Sequence, residues 1–372
     1  MTSAVEAAEA IVPVVAAGAD RAERARQLEP DVVQALREAD LFRLCVPGSL
    51  GGAEGSPREL VETVETLART DASVAWVLAV TATSGLLAAY LDEEVAREIY
   101  GSAGVAVGGV FAPRGQAVAD GDSLTVSGRW TFGTGSTFCD WLLGGCTLGD
   151  GPPRLVLFPR DEVEIHDTWT VSGLRATGSH DFSVDGLRVP AAQAAAVIGA
   201  QPRDDGALYA FPLFGLLALA IAGVMLGIAR GALTDVTELA GVKRPEGSRR
   251  LLSERATVQA GMARAEAALR AARALLMQEI DRAWELARDS RTTSIDTRVS
   301  LRLAATHAAR SGRDVVDRAY DLAGGSSLYE SGPLARRFRD VHAASQHMLV
   351  APATWELTGR LLLGAPSDVT QL

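Results

Sequence analysis

The sequence predicts a mainly α protein with a β-domain inserted between two helical parts, and three observations carry that expectation. Apolar residues recur at helical spacing up to about residue 104 and again after about residue 200. Between them, short β-branched runs alternate with Gly, Asp and Pro turns. Of the 372 residues, 48 % are hydrophobic and 22 % charged, which supplies a sizeable core and argues against disorder. The expected division is 1–104 for an N-terminal helical domain, 105–200 for an antiparallel β-domain and 201–372 for a C-terminal helical bundle.

In the first part, Asp31–Leu41 places apolar residues at 32, 33, 36, 39 and 41, with Pro30 beside its start. Pro47–Pro57 is a glycine-rich loop, and Arg58–Arg69 reads as a second amphipathic helix. Asp71 is a candidate N-cap for the apolar helix that follows. In the middle part the runs VAVGGVFA, SLTVSGRWTF, WLLGGCTL, RLVLFP, VEIHDTWTV and HDFSVDGLRVP follow one another closely, so sequential hairpins are expected. Trp130 and Phe132 would share one strand face at period two, with Thr134 next on it and Gly133 and Gly135 at its sides. After Pro190 come an uncharged helix, the helices Ser253–Arg288 and Thr297–Leu322, a Gly324-Gly325-Ser326-Ser327 break, and a last helix over Arg336–Trp355.

Charge and cysteine usage exclude several function classes. A net charge of −10 is unsuited to nucleic acid, because phosphate binding needs a basic face. Cys45, Cys139 and Cys146 lack metal-ligand spacing and cannot all pair, which fits a reducing cytoplasm and no metal. The N-terminus has no basic region before its apolar run and does not read as a signal peptide. Ala207–Ala229 is uncharged and long enough to span a bilayer, but it lacks flanking basic clusters and aromatic belts; a helix buried on all sides reads the same way, and no membrane is expected.

Generic motif searches return no GxGxxG, Walker loop, HExxH or GxSxG. His342 and His347, five apart on one helix, would point away from a shared metal. The motifs Asp40-Leu-Phe-Arg-Leu-Cys-Val-Pro47 with Gly51-Gly52, Asp71-Ala-Ser-Val-Ala-Trp76, Gly128-Arg-Trp130 to Asp140-Trp141, Gly173-Leu-Arg-Ala-Thr-Gly-Ser179 to Val189-Pro190, and Gly324-Gly325 to Arg339-Asp340 occur in that order. Together with the helix/β/helix order they resemble the acyl-CoA dehydrogenase superfamily along nearly the whole chain. The resemblance implies an N-terminal α-helical domain, a β-domain, a C-terminal four-helix bundle, a homotetramer, and a flavin between the β-domain and the bundle. It places Thr134 near flavin N5 with Gly135 beside it, and Phe111, Pro113 and Ser179 as further β-domain contacts, although the usual Thr-Glu-Pro reads Phe-Ala-Pro here. Arg244 or Arg249, with Gln259, lies where the family holds the pyrophosphate, and Gly324 and Gly325 match a loop that meets a neighbouring subunit's cofactor.

The family's dehydrogenases need a glutamate base, and this chain lacks one at both usual places. Leu217 and Met348 stand there; residues 206–234 and 341–355 contain no acid at all, so a small shift of register does not restore it. With His342 and His347 near the second place, the chain is similar to the flavin-dependent monooxygenase branch, the oxygenase components of two-component systems. That resemblance implies reduced FAD or FMN from a partner flavin reductase, O2 as co-substrate, and a C4a-hydroperoxide that oxygenates an aromatic, polyketide-like or nitrogen-containing small molecule. His347, then His342, would assist deprotonation or steady the peroxyflavin, as a neutral imidazole of ordinary pKa could at pH 7. Phe211, Leu217 and Met348 would line an apolar substrate pocket. The alternative within the superfamily is an FAD oxidoreductase acting on acyl groups with an atypical base; outside it, a catalytically inert assembly subunit.

Overall fold

The structure, a computed structural model, describes residues 2–372. Five helices come first: α1 (Ala4–Ala25), α2 (Pro30–Glu38), α3 (Pro57–Ala68), α4 (Ala72–Ser84) and α5 (Glu93–Tyr100). Their starts follow local chemistry. Pro30 and Pro57 occupy first-turn positions that need no N–H, and Ser56 Oγ accepts from the Glu59 amide. Asp71 accepts from the amides of Ser73 and Val74 at 2.8 and 3.0 Å, as an N-cap should.

Seven strands follow: β1 (Val107–Asp120), β2 (Ser123–Trp130), β3 (Trp141–Leu148), β4 (Arg154–Pro159), β5 (Glu164–His166), β6 (Asp181–Pro190) and β7 (Ala194–Ala195). They form one sheet in the order β5-β6-β2-β1-β3-β4-β7. The expected all-antiparallel series of sequential hairpins is corrected: only β1–β2, β3–β4 and β5–β6 pair in sequence, β2 pairs with β6 and β4 with β7, and β1 and β3 run parallel. Residues 131–140 cross over the start of β1 instead of turning back, so β3 enters beside β1 in the same direction. Gly108 permits the crossing: a Cβ there would lie 2.6 Å from Thr134 O and 2.9 Å from Cys139 Sγ. Asp140 fixes it, accepting from the Ala106 amide at 2.9 Å.

The shared face expected for Trp130 and Phe132 is also corrected. β2 ends at Trp130, whose indole is fully buried, stacks on Phe182 at 5.0 Å and donates to Gly145 O at 2.8 Å. Phe132 instead has φ +68° and is 65 % exposed, because the crossing loop has already left the pleat. Gly115, Gly128 and Gly144 make the slot for the indole; a Cβ on Gly144 would sit 2.5 Å from its ring. Gly144→Ala is expected to cost about 1–3 kcal/mol by overpacking, and Trp130→Ala about 3–5 kcal/mol by cavity formation, both read from urea-unfolding midpoints.

The remaining helices are α6 (Ala207–Ala210), α7 (Leu213–Val242), α8 (Ala256–Asp289), α9 (Ile295–Ala323), α10 (Pro333–Ala344) and α11 (Ala353–Leu362). The uncharged segment Ala207–Ala229 forms α6 and the first part of α7, and 78 % of the most apolar window of α7 is buried inside the protein, which accounts for its membrane-like composition. Small residues let it approach its neighbours: a Cβ on Gly223 would lie 2.8 Å from Val64, and Gly312 of α9 meets Met225 O. The single last helix expected over Arg336–Trp355 is broken between Ala344 and Ala353. Arg310 of α9 meets the carbonyls released there, donating to Ser345 O and Val350 O at 2.9–3.1 Å.

Candidate active site

Two loops of the β-domain clasp each other. Gly133 N donates to His180 O (3.0 Å), Gly135 N to Thr177 O (3.4 Å), and Ser136 Oγ to Gly178 O (3.0 Å). Gly135 has φ +76°, and a Cβ there would press on Cys139 Sγ at 2.7 Å. Phe132, in the left-handed region that bulky residues avoid, projects into solvent edge-to-face with Trp169 at 6.1 Å. Backbone strain next to Thr134 thus presents an exposed Phe132 against a half-buried Trp169.

Thr134 and Ser179, each expected separately as a cofactor contact, touch one another, and the contact extends into a chain of hydroxyls. Thr134 Oγ1 lies 2.9 Å from Ser179 Oγ, which lies 2.7 Å from Thr177 Oγ1, which donates to Leu174 O at 2.9 Å. A hydroxyl has one hydrogen. With Thr177 donating to the carbonyl, Ser179 donates to Thr177 and Thr134 to Ser179. Thr134 therefore offers only lone pairs to a ligand. Leu174 O also accepts from Trp169 Nε1 at 3.1 Å, so the aromatic pair and the hydroxyl chain share one anchor.

That anchor is held by α10. Leu174 has φ +53°, and its amide donates to Asp340 Oδ1 at 2.6 Å. Burial pushes the Asp340 carboxyl up to about 7, against the opposing pull of the Leu174 amide. Arg339 Nε donates to Ser172 O at 2.9 Å.

His347 and His342 do not share a helix. His342, near the end of α10, places Nε2 2.8 Å from Asp317 Oδ1 and its ring 4.4 Å from Phe338. His347 lies in the break after α10, where Nδ1 accepts from the Leu349 amide at 3.3 Å. Its neutral ring then carries hydrogen on Nε2. Trp76 meets it edge-on at 5.5 Å. Burial first, and the Arg302 charge second, push the imidazole down to about 4, below the ordinary value assumed from sequence. Because the folded ring resists a proton that the unfolded ring accepts, this group stabilises fully above about pH 6.5. That contribution is lost as pH falls towards 4. His347→Gln should flatten the decline in unfolding free energy over that window.

The other expected site residues are scattered. Phe111 and Pro113 sit where β1 is irregular, with register shifts on both sides of Pro113. Leu217 is half-buried on α7, Phe211 packs against Trp284 of α8, and Met348 is 63 % exposed rather than in a wall. Arg244, Arg249, Gln259, Gly324 and Gly325 gather at one bundle end, where Arg244 Nη1 donates to Arg249 O and Gln259 Nε2 to Ser253 O. Lys243 Nζ donates to Ala323 O at 2.6 Å, and Gly324 adopts φ +58°, ψ −145°. Among the described residues no hydrogen bond joins this end to Thr134 or Ser179. Sequence reasoning missed Phe132, Trp169, Thr177 and Arg302. For Arg302 a signal existed: it interrupts the apolar stripe of α9, one turn before Ala305 and Thr306.

Comparison with known proteins places this arrangement. The model of the acyl-CoA dehydrogenase N-terminal domain matches residues 4–101, and that of the C-terminal domain matches residues 219–352. Indole-3-acetate monooxygenase of Pseudomonas putida is 33 % identical over 348 residues, 92 % of this chain and 89 % of that protein. The FADH2-dependent resorcinol hydroxylase, oxygenase component, of a Rhizobium species is 27 % identical over 92 % of this chain and 89 % of that one. Among solved structures, XiaF from a Streptomyces species, in complex with FADH2 and glycerol, superposes with a TM-score of 0.91 at 26 % identity, covering 98 % and 96 % of the two chains. With its terminal domains matched and a relative one-third identical along nine-tenths of its length, the chain belongs to the acyl-CoA dehydrogenase superfamily, in the branch of the flavin-dependent monooxygenases.

Proposed function

We propose that this monooxygenase holds reduced flavin against Thr134 and oxygenates a small aromatic molecule between that edge and His347. The observation that carries the reading is the hydroxyl chain ending at Leu174 O, which leaves Thr134 as a pure acceptor. Reduced flavin carries a hydrogen on N5 and oxidised flavin does not, so the acceptor matches the reduced form. The edge-to-face pair of exposed Phe132 and half-buried Trp169 beside it suits a flat heteroaromatic ring. When bound, reduced flavin activates O2, so that one oxygen atom enters the substrate and the other leaves as water. The protein's share is to bind, orient and exclude bulk water, with the apolar start of α7 and Trp76 as the dry side.

Arg244 and Arg249 of the loop after α7 and Gln259 of α8, with Gly324 and Gly325, are assigned to the cofactor's phosphates, and Phe111, Pro113, Gly135 and Ser179 to its ring side. The parallel with oxygenase components implies a separate flavin reductase as partner. A homotetramer and a cytoplasmic setting complete the proposal; the three cysteines, all free and buried, suit reducing conditions. Acyl-CoA dehydrogenation fits worse, because residues 206–234 and 341–355 offer no carboxylate to take an α-proton.

Anaerobic titration tests the reading. The protein should bind photoreduced FAD or FMN at least several-fold more tightly than the oxidised form, and should form product only with reduced flavin and O2. Tightly retained oxidised flavin that acyl-CoA reduces would overturn it.

A further inference from the structure

Three arginines of α9, Arg298, Arg302 and Arg310, occupy one side of the helix, yet they are not alike. Arg298 donates to the carbonyls of Val369 and Leu372, and Arg310 to those of Ser345 and Val350. Both are structural clamps. Arg302 is only 4 % exposed, makes a single long bond from Nη1 to Phe214 O (3.4 Å), and leaves Nε buried with no partner. Nη2 makes no hydrogen bond among the described residues. Among the described residues no carboxylate pairs with it: burial shifts it down to about 10, and segments 206–234 and 341–355 contain no acid. A buried guanidinium without a counter-ion is costly, and proteins normally pair one.

The neighbourhood says what it awaits. Arg302 is close enough to His347 to disfavour a second positive charge there, and His347 lies against Trp76. Phe214, whose carbonyl receives the one bond, is half-buried at the start of α7, one turn before Leu217. The free Nε and Nη2 form the side of the guanidinium that takes a carboxylate through two parallel bonds. We propose that Arg302 recognises the substrate's anionic group, and that the substrate is accordingly an aromatic carboxylate. Its ring would lie among Trp76, Phe214 and Leu217, and its carboxylate would sit on Nε and Nη2. This deepens the proposed function by naming a substrate class and the residue that selects it.

The test pairs acids with their neutral amides: indole-3-acetate, phenylacetate and 4-hydroxybenzoate against the corresponding carboxamides. Binding is measured by calorimetry on the full-length protein, with and without reduced FAD. The wild type should prefer at least one acid by about tenfold or more, the range of a charge-assisted hydrogen bond. R302M should lose that preference while binding the amide within about twofold of wild type, and R302K should keep part of it. A second readout separates ligand recognition from a structural role. R302M removes an uncompensated buried charge, so its unfolding midpoint without ligand should hold or rise, whereas loss of a clamp would lower it. Equal binding of acid and amide by the wild type across the whole panel would overturn the proposal, as would an undiminished preference in R302M. An acid preference that depends on Arg302 in a protein that binds no reduced flavin would leave this inference standing and remove the monooxygenase reading.

Discussion

His347→Ala is expected to lower product formation about 10²-fold or more, the scale of losing one preorganised donor at a reacting centre. Reduced flavin should still be consumed by O2 at close to the wild-type rate, with the balance appearing as H2O2. The geometry favours a donor over a base. Nδ1 is committed to the Leu349 amide, so the free nitrogen, Nε2, already carries hydrogen. Accepting a second proton would create a cation in a half-buried place near the Arg302 charge, which is why the imidazole is pushed down to about 4. From Nε2 the hydrogen can steady negative charge on a substrate oxygen. Two further measurements separate the roles. His347→Gln keeps a donor and should recover part of the coupling, which it could not do in place of a base. The pH profile of product per flavin should show no limb from a histidine base between pH 6 and 8. Unchanged coupling in His347→Ala would remove the residue from the chemistry.

The order of helices, sheet and helices was legible because burial imposes periodicity, and periodicity survives in sequence. The Asp71 cap and the buried character of α7 were legible for the same local reasons. What escaped depends on contacts distant in sequence. Nothing in residues 131–140 says that they cross β1 rather than turn back; that depends on Gly108, more than twenty residues earlier, accepting their close approach. Phe132 looked like the partner of Trp130 because period two is the only pattern visible until the strand ends. The break before His347 is stabilised by Arg310, which lies 35 residues upstream of the first carbonyl it meets. Thr134 and Ser179 could be paired by resemblance, but the direction of their hydrogen bonds comes from Thr177 and Leu174 O. The absent glutamate was readable. That a buried arginine of α9 makes no ion pair required the fold, which sets Arg302 against the Phe214 carbonyl at the start of α7.

Thr134→Val should uncouple the enzyme about as severely as loss of His347, because it removes the acceptor proposed to face the flavin. Taken alone, that result could reflect a displaced loop. Thr177→Val is the sharper variant, since it leaves Thr134 and Ser179 in place and removes only the group that fixes their direction. With Thr134 facing flavin N5 as proposed, reduced flavin would complete four bonds in series: N5–H to Thr134, Thr134 to Ser179, Ser179 to Thr177 and Thr177 to Leu174 O, the last three of them present in the structure. Oxidised flavin has no N5 hydrogen, so all three hydroxyls would reverse and the bond to Leu174 O would be lost, leaving three. In Thr177→Val each redox state makes two. The preference for reduced flavin should therefore fall by the worth of about one hydrogen bond, roughly threefold to tenfold in the ratio of dissociation constants. Thr177→Ser should restore it. Leu174 O keeps its bonds from the Thr177 amide and Trp169 Nε1, so the loop should hold and thermal unfolding should change little. An unchanged ratio in Thr177→Val, with Thr134→Val still uncoupled, would show that Thr134 faces the flavin but that its direction is set elsewhere.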